Sequence, residues 1–269
     1  MLTLKACNAT FLFIPLRMET KFFNPYIGPH YQEGLINNKK VLVLGASHSC
    51  TYNSSSDSNS SPEEFKTCPV WHECTSTEYK DSSKFDMCCP YYQFLGWYDQ
   101  FDYVKLSNSP RIELENYLSD EEYPAYDNFT QCLINLLKFP NKQYLWKRLA
   151  FVNYVQYFLP TITTPTLTRK DIRCFEALIE YVDQLKPNII IAWGTKITNH
   201  FKHNYIKSLV EKLKVREDDY FWDFENKGHK CLIVNPYHPC DKKPGCYWSK
   251  NLDGFQSALV KALEIKITQ

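Results

Sequence analysis

Glycine is scarce in this chain: 8 residues in 269, against 15 prolines, a balance that favours rigid loops over flexible linkers. Neither charge dominates, since 31 Lys and Arg face 30 Asp and Glu for a net charge of +1. A general basic field is therefore excluded, and any nucleic-acid contact has to rest on a local patch. No apolar run approaches the roughly 20 residues of a membrane span. Ala9–Leu16 is apolar but short, is broken by Pro15 and has little positive charge before it, so no cleaved leader is expected. These absences point to a cytoplasmic, monomeric protein with no membrane partner.

What the chain has in quantity is aromatic: 19 Tyr, 17 Phe and 6 Trp within a 44% apolar composition. That content is globular, and a chain of this length can bury one large core as a single domain, here 1–269 with a core of about 39–265. Cysteine is also abundant, at 11 residues, and the odd count argues against a fully paired disulfide framework. Cys7, Cys50, Cys68, Cys74, Cys88 and Cys89 crowd the first third, which suggests a metal or a local staple. Cys132, Cys174, Cys231, Cys240 and Cys246 are scattered in the manner of ordinary buried thiols.

The organising stretch is Lys39–Cys50. Val41–Leu44 is a continuous β-branched-rich run, the mark of a strand covered on both faces. Gly45 ends it, and Ala46, Ser47, His48 and Ser49 follow where a parallel sheet places its ligands, beyond the carboxyl ends of its strands. Upstream, Pro25–Pro29 reads as a rigid turn against that strand, with Tyr26 and His30 packing rather than reaching the site. Leu149–Gln156 is a second apolar run, ending in Asn153, whose amide offers a paired donor and acceptor. Basic Lys138, Lys142, Lys147 and Arg148 precede it. Thr168–Asp171 is a capping box in an Asp variant. It opens a helix with Ile172, Phe175, Ile179, Val182 and Leu185 on one face, stopped by Lys186-Pro187. Asn188–Gly194 is a third buried strand. Ile197–Lys214 then reads as a lysine-studded helical segment with a solvated face. Lys230–Asn235 is a fourth strand running into Pro236-Tyr237-His238-Pro239-Cys240, and Asn251 caps a final helix. Asn128–Phe139 reads as a packing helix ended by Pro140. The alternation predicts a three-layer α/β/α fold around a central four-stranded parallel sheet.

Residues 51–90 form a polar, then cysteine-rich, insertion loop. Cys50, Cys68, Cys74 and Cys88 or Cys89, with His72, offer the N/S donor set that zinc takes at tetrahedral corners. The spacings are not the paired C-x₂-C of common zinc modules. Zinc, an iron–sulfur cluster and free or disulfide cysteines all remain open for this loop.

Four strands thus each bring a distinctive group to one edge: Gly45–His48, Asn153, Gly194 and His238. In this order and at these places the chain resembles the uracil-DNA glycosylase superfamily, over roughly Lys39 to Pro239. The blocks are Gly45-Ala-Ser-His-Ser49 for the first loop, Val152-Asn-Tyr-Val-Gln156 for the base-reading strand, Pro187-Asn-Ile-Ile-Ile-Ala-Trp-Gly194 for the third strand and His238-Pro-Cys240 for the H-P-S loop. A bacterial branch with a G-E-S-H first loop is most similar. The resemblance implies a glycosylase that binds a flipped or free nucleobase from single- or double-stranded DNA. Gly45, Ala46, Asn153 and Tyr154 would hold the base, His238 would stabilise the charge on the leaving base, and Ser47 or His48 would position water. Two departures stand out: Ala46 and Ser47 occupy the places where such enzymes carry a carboxylate or asparagine, and Cys240 replaces the serine.

A rival comes from another class. Gly45-Ala-Ser-His-Ser49 also resembles the first block of SGNH-type ester hydrolases, with Ser47 as nucleophile, and Asn235-Pro-Tyr-His238 resembles their D-x-x-H. An Asn in place of the orienting acid weakens that reading. A catalytically silent nucleic-acid-binding member is the third possibility.

Overall fold

The computed structural model describes residues 23–49, 109–119, 122–156, 158–159, 166–216, 221–235, 237–240 and 260–263. Each apolar run read from the sequence becomes a strand: β2 (Val41–Gly45), β4 (Leu149–Asn153), β6 (Ile189–Ala192) and β9 (His229–Val234). They lie side by side in the order β4-β2-β6-β9, all parallel. Every residue of β2, β4 and β6 is buried, which is why these runs carry no polar alternation.

The pleat divides those residues between two cores. Leu42, Leu44, Ala150, Val152, Ile190 and Ala192 face α4 (Ile172–Leu185). Val41, Val43, Leu149, Phe151, Ile189 and Ile191 face a second core shared with α1 (Ser109–Leu118), α2 (Pro124–Leu137) and α3 (Lys142–Trp146). From β2 the chain crosses to β4 with α1–α3 on one face, then returns past β2 to β6 with α4 on the other. Reversing direction and face together keeps both parallel crossovers in one hand. It also puts the point where the chain direction switches between β2 and β6.

Local chemistry fixes the ends of α4. Thr168 donates its backbone N–H (2.7 Å) and its hydroxyl (3.1 Å) to Asp171 Oδ2 ahead of the helix. At the other end Lys186 adopts a left-handed conformation (φ 47°) and donates its N–H to Val182 O, and Pro187 prevents continuation. Between them Phe175, Leu178, Tyr181 and Val182 are buried. Leu178→Ala would cost about 2–5 kcal/mol.

The sheet departs from the four-stranded parallel expectation. It has seven strands and is mixed, because three antiparallel strands extend it: β1 (Tyr26–Ile27) beside β4, and β8 (Phe221–Asn226) and β7 (Lys212–Val215) beyond β9. Two residues between prolines carry no periodicity, which hides β1. Nor does the helical segment read over Ile197–Lys214 hold. It breaks into α5 (Thr195–Phe201) and α6 (Asn204–Lys207), and its last lysines lie in β7. Lys212-Leu-Lys-Val215 has the period of a strand, with Leu213 buried and both lysines exposed, and such lysines protect an edge strand from pairing with another chain. A two-residue turn with positive φ at Lys227 (47°) and Gly228 (70°) joins β8 to β9, the geometry that suits the twist of a hairpin. A small parallel pair, β3 (His48–Ser49) with β5 (Phe158–Leu159), lies apart from the main sheet. No helix among the described residues is long and apolar enough to cross a membrane. The final helix read from Asn251 falls largely outside the described residues, of which 260–263 are helical.

Candidate functional site at the carboxyl edge of the sheet

The carboxyl ends of β4, β2 and β6 are adjacent. Gly45 pairs with Asn153 across β2 and β4. On the other side Trp193 donates its N–H to Leu44 O at 2.9 Å. Three neighbouring strand ends span two inter-strand spacings, roughly 10 Å, which is pocket-sized. The ladder continues past Gly45, with Tyr154 N–H on Gly45 O (2.8 Å) and Val155 N–H on Ala46 O (3.0 Å). The first loop is therefore pinned as far as Ala46 by backbone bonds.

Gly45 is required here for close approach. A Cβ on it would overlap the side-chain oxygen of Asn153 and lie 2.9 Å from Cζ of Phe151. The Asn153 carboxamide thus lies across the end of β2, and it is 4% exposed. Behind it the Asn153 backbone is held by Gln156, a buried amide. Gln156 Nε2 donates to Asn153 O (2.8 Å), while its Oε1 accepts from Phe23 N–H (2.9 Å) and from the Tyr181 hydroxyl (2.8 Å). Buried amides that meet all their partners rigidify their surroundings.

On the β6 side Gly194 has φ +108°, a conformation that side chains rarely adopt. His238 packs beside it, its Cβ 3.5 Å from where a Gly194 Cβ would stand. The His238 ring meets the Trp193 indole edge-on at 6.4 Å. Its Nδ1 accepts the Cys240 backbone N–H at 3.2 Å, which leaves the ring proton of a neutral imidazole on Nε2. Tyr237, just before it, is held at φ +73°, a left-handed conformation that costs about 1–3 kcal/mol and persists because its neighbours over-determine it. Those neighbours are Asn235, whose Oδ1 accepts Tyr237 N–H (3.3 Å) and whose Nδ2 donates to Thr198 Oγ1 (2.5 Å). Asn128 of α2 ties the far side of the loop through a 2.8 Å bond to Pro239 O.

Phe151, Trp193, Tyr126 and Phe129 lie behind this edge with ring centroids 5.1–5.5 Å apart. The Trp193 indole N–H is buried without an acceptor among the described residues.

Gly45, Ala46, Asn153 and His238 therefore occupy the one edge, with Ser47 half-buried at the start of the following loop. The backbone of His48 runs on into β3 beside Phe158. Tyr154, grouped with the base-holding residues above, lies elsewhere. Consecutive residues of a strand alternate in face, so Tyr154 enters the α4-side core with no exposed surface. There its hydroxyl is 2.6 Å from His200 Nδ1, while His200 Nε2 donates to Thr168 O at 3.0 Å. Burial first of all pushes the His200 pKa below its ordinary value, consistent with a neutral ring accepting from the tyrosine. The basic stretch Lys138–Arg148 leads into the amino end of β4, a strand length from Asn153. Arg148 stacks on Tyr144 at 4.0 Å, and Lys142 bonds Tyr117 O at 2.9 Å.

The zinc candidates Cys50, Cys68, Cys74 and Cys88 lie outside the described residues. Among the described residues no cluster of His, Cys, Asp and Glu is arranged to hold a metal ion. Cys132, Cys174 and Cys231 are buried, and burial raises each thiol to about 12, which suits packing rather than reaction.

Gln156, Asn128 and Trp193 are residues to which sequence reasoning gives no role of their own in positioning the site, and Asn235 enters it only as a substitute for an orienting acid. Gln156, three residues past Asn153, and Trp193, next to Gly194, fall inside blocks that the sequence marks as functional, whereas Asn128 lies in a stretch read only as a packing helix. Compared with known proteins, the chain matches no protein-family model, and no curated protein matches it significantly.

Proposed function

We propose that this chain is a uracil-DNA glycosylase-like protein whose carboxyl-edge pocket takes a nucleobase, with hydrolysis of the N-glycosidic bond of uracil or a modified base in DNA as its reaction. The supporting observation is the meeting of two pairs at the switch point of the sheet: the Asn153 amide across Gly45, and His238 against Gly194. A buried amide held by its own strand end presents a donor and an acceptor in fixed register, which is what reading a base edge demands. His238, with Nδ1 occupied as an acceptor and Nε2 carrying the proton, offers one neutral donor to an oxygen on which negative charge develops. Ser47 or His48 supplies the water-positioning group.

The ester-hydrolase reading needs the histidine to donate Nδ1–H to an orienting acid. His238 Nδ1 instead accepts from Cys240, and Asn235 is committed to Thr198 and Tyr237. That disfavours the reading.

The test is base release from single- and double-stranded oligonucleotides carrying uracil and modified bases, run beside an ester-hydrolysis screen. His238→Ala should reduce release by about 100-fold or more while leaving the circular dichroism unchanged, and Ser47→Ala should retain much of it. Ester turnover lost in Ser47→Ala would establish the hydrolase instead. Oligonucleotide binding with no base release and no ester turnover would identify a silent binding protein.

A further inference from the structure

The short helix α5 bonds to both halves of the carboxyl edge. On the side of the His238 loop its contact is Thr198, a buried hydroxyl. Asn235 Nδ2 donates to Thr198 Oγ1 at 2.5 Å, while Asn235 Oδ1 accepts Tyr237 N–H at 3.3 Å. A backbone N–H can only donate, so the carboxamide oxygen has to face Tyr237 and its nitrogen has to face the helix. Thr198 Oγ1 in turn donates to Thr195 O, 3.4 Å away in the first turn of α5. Each donor in this chain meets an acceptor, from the start of α5 to the left-handed residue that precedes His238.

On the side of Asn153 the contact is Tyr154, the next residue in the chain. Its hydroxyl lies 2.6 Å from His200 Nδ1. Its ring meets those of His200 and Phe201 edge-on, with centroids 5.8 and 5.6 Å away. His200 is anchored in turn on Thr168 O at 3.0 Å, ahead of α4. Thr198 and His200, two residues apart on one helix, therefore bond to the loop of His238 and to the neighbour of Asn153. Gly194, where His238 packs, precedes the same helix.

We propose that Thr198 is a positioning residue for the reaction: through Asn235 it holds Tyr237 left-handed and so sets the direction of the His238 ring, while His200 on the same helix ties that placement to the Asn153 strand end. This rests on the nucleobase reading of the edge and names a residue that touches neither base nor water. A left-handed tyrosine persists only while its surroundings hold it. Without the Thr198 hydroxyl, Asn235 Nδ2 loses its acceptor, and the carboxamide is free to turn away from Tyr237 N–H. The ring then leaves its place beside Gly194, and a displacement of about 1 Å costs on the order of 100-fold in rate.

The test uses the full chain and two readouts. Thr198→Val deletes the hydroxyl at nearly constant volume, and Thr198→Ser keeps it. Thr198→Val should slow single-turnover base release by about tenfold to 100-fold, with a change in oligonucleotide Kd of about threefold or less. Thr198→Ser should restore release to within about threefold of the wild type. Thr198→Ala, which opens space instead of placing a methyl group against the amide, should repeat the Thr198→Val result. Histidine-selective heteronuclear NMR reads the placement without substrate. The His238 ring signals, assigned with His238→Ala, should shift in Thr198→Val and Thr198→Ala and return in Thr198→Ser. His229, bonded to Pro187 O at the far end of the sheet, should stay unmoved in all three. Undiminished release in Thr198→Ala, or His238 signals that do not move, overturns the proposal. An equal shift at His229 overturns it too, because the change would then be general to the fold. A wild-type chain that releases no base overturns the nucleobase reading instead, and the ring signals then still decide whether Thr198 places His238.

Discussion

The two ends of the same parallel strands are built from different chemistry. At the carboxyl end the polar groups are neutral and buried: Asn153, Gln156 and Asn235, the last two bonded to named partners, with His238 on a strained loop beside them. At the amino end they are charged and near solvent: Lys39, Lys40 and Lys186. Lys40 registers this crowding, its ammonium pushed below the ordinary value by burial and then by Lys186. A neutral, pre-positioned edge discriminates by hydrogen-bond pattern, whereas a cationic edge attracts by charge and is screened by salt. The strands between them are indifferent apolar slabs. What differs is which residues follow or precede them.

The comparison breaks most severely at Gly45. Gly45→Ala places a methyl group where the Asn153 oxygen now lies and should disrupt the carboxyl edge alone. The expected outcome is a stability loss of about 1–3 kcal/mol from overpacking, read by denaturant titration. Base or oligonucleotide binding should fall by about 100-fold, while the β8–β9 hairpin should keep its hydrogen-exchange protection. Comparable loosening of that hairpin would show that the damage is not confined to the carboxyl edge.

Gln156→Leu acts one step behind the site. It leaves Phe23 N–H, the Tyr181 hydroxyl and Asn153 O without their present partner, although Tyr181 keeps its 2.7 Å bond to Phe23 O. Each orphaned buried group costs about 1–3 kcal/mol, so a total near 3 kcal/mol is expected after relaxation. Hydrogen exchange should show the residue 153–156 turn loosening while the β8–β9 hairpin keeps its protection.

The α4-side network adds a pH dependence with a definite sign. Because burial lowers the pKa of His200 in the folded protein, the unfolded chain takes up that proton first as pH falls. Stability from this group is complete above about pH 6.5 and declines below it, by at most about 1.4 kcal/mol per pH unit. Tyr154→Phe removes the hydroxyl that favours the neutral ring. It should cost about 1–2 kcal/mol at pH 8 and flatten the decline between pH 8 and 5, measured as denaturation midpoints. An unaltered pH profile would show that His200 does not sense the hydroxyl.

The smallest effect belongs to Asn128→Ala, which cuts the 2.8 Å bond to Pro239 O. A loss of about 0.5–1.5 kcal/mol is expected. A few-fold change in base binding beside it would assign that bond to the carboxyl edge.

Much of the carboxyl edge is legible in the amino-acid sequence. Val41–Leu44, Leu149–Val152, Ile189–Ala192 and Cys231–Val234 announce themselves because a strand covered on both faces needs no polar residue. The residue ending each run then has to lie at an edge. The capping residues Thr168 and Asp171 and the stop at Lys186-Pro187 are equally local, so α4 can be placed to within a residue or two. By contrast β1, β7 and β8 are hidden. Tyr26–Ile27 is too short for a period, and the lysines of 212 and 214 mimic a solvated helix face when read at the wrong spacing.

Sequence alone thus determined where the buried strands lie, which residues end them and that the fold alternates β and α. Each of these follows from the local solvation and conformational preference of a few consecutive residues. Only the tertiary structure decided the strand order β4-β2-β6-β9 with its antiparallel flanks, and so which strand ends are neighbours. It alone set Asn153 across Gly45 and sent adjacent Tyr154 to the opposite face. It also supplied Asn153 with Gln156, and His238 with Trp193 and Gly194. Finally it gathered Arg216 and Lys261 from across the chain around the Phe221 ring. Those pairings depend on distance in space, and long-range contacts leave no trace in the spacing of residues along the chain.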